Sequence, residues 1–341
     1  MKTTYETHVQ TGILLNANER SLPLDDAIVQ EIADSLGEIA FHRYPDSLQN
    51  ELREAYAEAI GVRKEQLLAG NGSDQILGYL IGTFLGPGKA LATLDPDFSM
   101  YDYYASSYGA SVCKYPIDLT GDFHVEDFIA WAKEQDISMI LFSNPNNPSG
   151  ICLENDEVLQ IVRAFPEMPV VIDEAYIEFA DVPSCVYLTE DYANLYVTRT
   201  LSKAYGLAGL RTGFLVCAAD NAEELRKAYV PYALNSFSMK AASIVLSHAK
   251  ELLQYAEAVK ARRHALYEQA KDLTAVHLYP SQANFLYGKS ACKEQLLAAF
   301  AEKNIVIRNY AGTDAFRITI GTEEEMELIM EVLKTVEEQI R

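Results

Sequence analysis

The chain has 341 residues, of which 49% are apolar and 23% charged; that length and balance bury a substantial core in one large domain plus a smaller one. Its formal charge of −21 argues against a nucleic-acid partner, because affinity for a polyanion rests on clustered Lys and Arg. No apolar run approaches the ~20 residues that cross a bilayer, the N-terminal stretch holds no continuous apolar segment of a secretion signal, and Cys113, Cys152, Cys185, Cys217 and Cys292 form no C-x-x-C pair. A cytoplasmic protein with reduced thiols, no structural metal and no membrane partner is expected.

Residues 46–61 place Leu48, Leu52, Tyr56 and Ala59 at helical spacing behind an Asp46 or Ser47 cap. Short apolar strands are predicted at 90–94, 138–143, 169–173, 194–199 and 212–217, with helices between several of them, notably 125–135 and 154–165. Short apolar runs separated by helices specify βαβ units and an α/β architecture with a mostly parallel, doubly covered sheet. In such a sheet the reactive residues lie at the carboxyl ends of the strands. After about residue 235 the pattern changes to long helices over 237–272 and 322–340 around short strands near 275–287 and 304–320. A large domain over 23–235 and a smaller α+β domain from 1–22 with 236–341 are therefore expected.

Ordinary nucleotide motifs are absent. "GTFLGPGKA" (82–90) is one residue too long for a P-loop and puts Ala90 where a Ser or Thr would hold magnesium. No G-x-G-x-x-G follows a strand.

Four other stretches sit at strand ends. "GNGSDQIL" (70–77) is a glycine-flanked turn opening a helix, with Ser73 as its predicted N-cap; a helix N-terminus suits a phosphate. "SNPNNPSG" (143–150) follows a strand, and its two Asn-Pro pairs stiffen the backbone enough to aim an amide. "VVIDEAYIEF" (170–179) is an apolar strand ending in Asp173, with Tyr176 three residues on. A carboxylate at the end of a buried strand needs a cationic or hydrogen-bonding partner. "RTLSKAYGLAGLRTGF" (199–214) sets Lys203 beside Ser202, with Arg211 following among small residues. A lysine held with its amine partly neutral captures an aldehyde. One aldehyde cofactor also needs a phosphate cradle, an acid facing a ring nitrogen and donors to a phenolic oxygen. It is pyridoxal 5′-phosphate (PLP), and the four stretches supply those parts.

This ordered set resembles the fold-type I PLP-dependent aminotransferases. With "LLNANE" (14–19), "RYPD" (43–46), "FSMYD" (98–102) and "RITIGTEEE" (317–325) it is most similar to the histidinol-phosphate aminotransferases, from about residue 13 onward. The resemblance implies a large domain with a mostly parallel central sheet covered by helices, plus a smaller α+β domain. It implies that Lys203 holds the cofactor covalently and then moves a proton, and that Asp173 pairs with the protonated ring nitrogen. Asn147 and Tyr176 would donate to the ring oxygen, with a cis bond at Asn147–Pro148, and Tyr101 would stack on the ring face. Ser73, Asp74, Ser202 and Arg211 would hold the cofactor phosphate.

On the substrate side the resemblance implies that Arg317 forks onto a carboxylate, that Arg308 and Tyr44 hold a substrate phosphate, and that Asn18 makes a further contact. Tyr44 would reach the neighbouring site of a homodimer. The chain departs from the family pattern at Arg20 and in its short segment between Arg308 and Arg317. Both departures touch the substrate mouth. The expected activity is transamination between histidinol phosphate and 2-oxoglutarate in histidine biosynthesis; an aromatic amino acid aminotransferase and a relative of threonine-phosphate decarboxylase are the alternatives. A non-catalytic PLP-binding module would not need Lys203, Asp173 and Arg317 together.

Overall fold

The computed structural model describes residues 11–119 and 123–340. A short strand β1 (Ile13–Leu15) and helices α1 (Asp26–Ser35) and α2 (Asn50–Ile60) come first. The alternating segments are β2 (Leu67–Asn71), α3 (Gly72–Phe84), β3 (Ala90–Asp95), α4 (Met100–Ser107), β4 (Ser111–Pro116), α5 (Val125–Glu134), β5 (Met139–Ser143), α6 (Asn155–Ala164), β6 (Val170–Asp173), β7 (Leu195–Thr200), β8 (Thr212–Cys217) and α7 (Ala219–Ala228). The rest is α8 (Ser236–Ser247), α9 (Ala249–Leu252), α10 (Gln254–Ala270), β9 (His277–Leu278), β10 (Phe285–Lys289), α11 (Lys293–Glu302), β11 (Ile305–Asn309), β12 (Ala315–Thr319) and α12 (Glu323–Ile340).

Seven strands form one sheet in the order β2-β8-β7-β6-β5-β3-β4. Neighbours from β7 to β4 are parallel, while β8 is antiparallel to both β7 and β2. Strands β5 to β8 are buried along their whole length, which is why they read as unbroken apolar runs rather than alternating ones. Ile140, Phe142, Val170 and Ile172 face one core and Leu141 and Val171 the other, the period-2 division of a sheet covered on both faces. The parallel register brings Ser143, Asp173 and Thr198 side by side at the carboxyl ends of β5, β6 and β7. A second sheet of five strands runs β1-β11-β12-β10-β9, so residues near the N-terminus join the C-terminal strands.

Three local expectations change. The helix expected over 46–61 is α2 and begins at Asn50, not at 46–47: the Asp46 carboxylate accepts from the N–H groups of Leu48 and Asn50 at 2.9 Å each, which closes a turn ahead of the helix. The stretch 237–272 is three helices, because α8 packs on α1 and α2 whereas α10 packs on α12 and β10, so the chain must change direction at His248 and Leu253. Strands β2 and β4 were not foreseen. β2 ends in the Gly-Asn pair that also reads as a turn, and β4 is a half-exposed edge strand.

Candidate active site

A cavity of about 570 Å³ opens where the carboxyl ends of β5, β6 and β7 meet the second sheet. Lys203 lies on its wall three residues past β7, in a turn that Gly206 closes at φ +75°. Its Nζ donates to the backbone carbonyl of Ala17 at 2.8 Å and stands 5.9 Å from the centre of the Tyr176 ring. Burial first, and the Arg317 charge second, bring its ammonium down to about 8, so part of the amine is neutral at physiological pH.

Asp173 ends β6 in the cavity wall. Its carboxylate accepts from Tyr101 at 2.9 Å and Thr198 at 2.8 Å, and no cation pairs with it among the described residues. Burial outweighs those two hydrogen bonds and raises it to about 6. Asn147 Nδ2 donates to the Tyr176 hydroxyl at 3.4 Å, and its Oδ1 accepts from Arg317. The bond between Asn147 and Pro148 is cis, as are those before Pro96 and Pro145. Asn147 N–H donates to Ser143 Oγ at 2.8 Å, and Ser143 Oγ in turn donates to Asp97. Half-buried Asp97 is raised to about 8, by desolvation above all.

The turn from β2 into α3 forms the opposite end. A Cβ on Gly72, at φ +76°, would lie 2.8 Å from the Arg211 guanidinium, and one on Gly213 would run into the Ser73 backbone nitrogen. These two positions need glycine so that the helix start, β8 and Arg211 approach one another. Arg211 pairs with Asp74 at 2.9 Å. Ser73, Asp74, Ser202 and Arg211 all line this end of the cavity. Ser73 is not the N-cap: the cap position is Asn71, and the Gln75 side chain takes its N–H at 2.7 Å. The left-handed Gly72 starts the helix one residue before the serine.

The second sheet supplies the far wall. Arg317 and Arg308 are cross-strand partners on β12 and β11, and both line the cavity. Arg317 also donates to the Asn16 carbonyl at 3.0 Å.

Two expected contacts, those of Tyr101 and Asn18, are elsewhere. Tyr101 does not stack in the cavity: its ring is buried in the core and its hydroxyl is spent on Asp173. On that turn it is Phe98 that reaches the cavity wall, edge-on to Tyr101 at 5.6 Å. Asn18 is buried behind the wall, where its amide donates to the Tyr176 hydroxyl at 3.1 Å. Tyr44 is 82% exposed, outside the cavity of its own chain, and stacks on Tyr232 at 4.7 Å. Sequence reasoning missed Phe98, Asp97, Ser143, Tyr287 and Tyr310. Phe98 and Ser143 adjoin recognisable motifs; Tyr287 and Tyr310 are placed only once β10 and β11 are each paired with β12.

The family model for aminotransferase class I and II matches residues 10–333. The chain belongs to that family. A curated histidinol-phosphate aminotransferase of Clostridium kluyveri is 33% identical over 327 residues, covering 95% of this chain and 93% of that protein. The crystal structure of a histidinol-phosphate aminotransferase from Sinorhizobium meliloti in complex with pyridoxal-5′-phosphate superposes with a TM-score of 0.86 at 22% identity, over 97% of this chain and 92% of that one. An L-threonine-O-3-phosphate decarboxylase from Porphyromonas gingivalis has the same fold, with a TM-score of 0.82 at 22% identity over 96% and 99% of the two chains.

The protein is a PLP-dependent aminotransferase, and the cavity fits that cofactor. Asp173 is a buried carboxylate whose near partners are hydroxyls, which leaves it a cation short, as the partner of a protonated ring nitrogen would be. The glycine-lined helix start with Arg211 would suit a phosphate, and Lys203 is a partly neutral amine within the same cavity. When bound, the cofactor supplies an electron sink for the charge left on the substrate carbon. Among the described residues, no helix is long and apolar enough to cross a membrane, and no cluster of His, Cys, Asp and Glu has the makings of a metal site.

Proposed function

We propose that the enzyme converts imidazole acetol phosphate and glutamate to histidinol phosphate and 2-oxoglutarate, and the reverse, as a step of histidine biosynthesis in the cytoplasm. The observation that carries this reading is the pairing of Arg308 with Arg317 across two strands of one cavity wall. A phosphate dianion calls for more than one cation, and guanidinium forks suit both phosphate and the carboxylates of glutamate. The curated relative's activity at 33% identity supports the same substrate.

In this reading Lys203 takes the proton from the substrate Cα and returns it on the other side of the reaction, near neutrality because burial has lowered its basicity. Asp173 holds the ring nitrogen, while Asn147 and Tyr176, fixed by Arg317 and Asn18, hold the ring oxygen. Ser73, Asp74, Ser202 and Arg211 anchor the cofactor phosphate, and Phe98 takes the stacking place expected of Tyr101. The division is a large domain from 23 to 235 and a small one from residues up to 22 together with 236 onward; of the latter, 1–10 and 341 lie outside the described residues. The working form is a homodimer whose Tyr44 enters the neighbouring site, which accounts for the exposure of Phe41, Tyr44 and Leu48 at 73%, 82% and 55%.

The test is a half-reaction screen of purified enzyme loaded with PLP against histidinol phosphate, phenylalanine, tyrosine, aspartate and phosphothreonine, followed by the change in cofactor absorbance. Fastest conversion with histidinol phosphate is expected. A faster response to phenylalanine, or carbon dioxide released from phosphothreonine, overturns the assignment.

A further inference from the structure

Tyr287, Arg317 and Arg308 form one row across the second sheet. Tyr287 faces Arg317 between β10 and β12, and Arg317 faces Arg308 between β12 and β11. Directly opposed residues project from the same face, and all three line the cavity. Tyr310, just past β11, closes on the row: its ring centre is 5.8 Å from that of Tyr287, with the planes at 61°, and it also lines the cavity. Tyr279 backs Tyr287 at 5.9 Å, its N–H donating to the Tyr287 carbonyl at 2.9 Å. Tyr287 is 7% exposed, so its ring has little freedom to turn away. The geometry therefore sets an edge-to-face aromatic corner next to two guanidiniums.

We propose that Tyr287 and Tyr310 are the residues that select the substrate side chain, forming an aromatic corner that takes a planar ring while the neighbouring arginines hold the anion. This rests on the reading of the cavity as an aminotransferase site and extends it from the anionic group to the ring. A planar ring packed against such a corner gains from stacking or edge contact beyond its burial. Glutamate has no ring and presents only its carboxylates to the row, so the corner contributes to one half of the reaction and not to the other.

The experiment measures both half-reactions on PLP-loaded wild type, Tyr287→Leu, Tyr287→Phe and Tyr310→Leu, using histidinol phosphate and phenylalanine as ring-bearing donors and glutamate and phosphothreonine as ring-free ones. The Leu variants are expected to lose roughly tenfold in kcat/KM on the ring-bearing donors, chiefly through KM, and to hold their rates on glutamate and phosphothreonine within about twofold. Tyr287→Phe keeps the planar face and is expected to retain the wild-type preference. Equal loss on all four donors, or a Phe variant as impaired as the Leu variant, overturns the proposal. A wild type that prefers phenylalanine to histidinol phosphate sinks the assigned substrate but leaves the corner standing if the Leu variants still discriminate by ring. A wild type that prefers phosphothreonine overturns both.

Discussion

The Lys203 amine donates to the backbone carbonyl of Ala17 at 2.8 Å, so the residue proposed to hold the cofactor also ties down the segment that leads out of β1. Around it, Arg317 holds the Asn16 carbonyl at 3.0 Å and Asn284 holds that of Asn18, also at 3.0 Å. Three successive carbonyls are gripped by three side chains from distant parts of the sequence. Replacing Lys203 by alanine is expected to abolish covalent attachment of PLP, read as loss of the borohydride-fixed mass increment on the peptide containing residue 203. The half-reaction should slow by about 10²–10⁴-fold, as for loss of a general acid–base group. A fixed adduct on another lysine contradicts the assignment.

The lowered basicity of Lys203, to about 8, sets a pH profile. Only the neutral amine attacks an aldehyde. Capture of PLP by apoenzyme is therefore expected to speed up about tenfold per pH unit below 8 and to level off above it, which stopped-flow absorbance would follow. A profile still rising at pH 10 means an amine of ordinary basicity.

Asp173 behaves in the opposite sense. Its carboxyl is raised to about 6, so the folded apoenzyme holds that proton more tightly than the unfolded chain. The resulting stabilisation is full below the ordinary carboxyl range and disappears as pH rises through about 6. Thermal unfolding of apo wild type against Asp173→Asn across that window is expected to show the wild-type advantage shrinking with rising pH. With PLP in place the carboxylate is the useful form, and Asp173→Asn is expected to lower kcat by about 10²–10³-fold.

Behind the site, Arg199 donates to Glu174 at 3.2 Å and to Glu178 at 2.6 Å, all three being at most 6% exposed. Glu174 also takes the Cys185 N–H at 2.6 Å. This network fixes the turn that carries Tyr176 from the end of β6. Arg199→Leu strands two buried carboxylates and is expected to cost about 3–5 kcal/mol, measured by urea unfolding. A loss under 1 kcal/mol means that the carboxylates find other partners or protons.

Arg20 donates to the Ala204 carbonyl at 2.9 Å and lies 4.3 Å over the Tyr255 ring. It thus steadies the residue after Lys203. Arg20→Ala is expected to lower stability by about 1–2 kcal/mol and kcat by a few-fold, with PLP still attached. Unchanged kcat in a folded variant would show that the lysine turn holds itself.

Strands β3 and β5 to β8 of the central sheet are legible in the sequence because burial demands unbroken apolar runs, as in "MILFS" and "VVID"; the edge strands β2 and β4 are not. That Ser73, Asp173, Lys203 and Arg211 share one cavity is legible because phosphate, ring nitrogen and aldehyde would each require a distinct residue type at a strand end. What cannot be read locally is which side of a wall a residue occupies. Tyr101 and Phe98 are three positions apart on one turn, and only the carboxylate at Asp173 decides that the tyrosine turns inward. Asn18 looks like a contact residue until its left-handed backbone, at φ 55°, is seen to aim the amide at Tyr176. Tyr287 carries no signal, because its meaning lies in the register of β10 against β12.

The seven-stranded sheet carries Asp173 and leads into Lys203, whereas the five-stranded sheet carries Arg308, Arg317 and Tyr287. The turn from β11 to β12, with Gly312 at φ +76°, lies far along the chain from every residue of the cofactor floor. Lengthening or trimming it would move Tyr310 and leave the floor as it is. Editing that one short loop would re-cut the substrate end and leave the reaction chemistry, carried by the other sheet, unaltered.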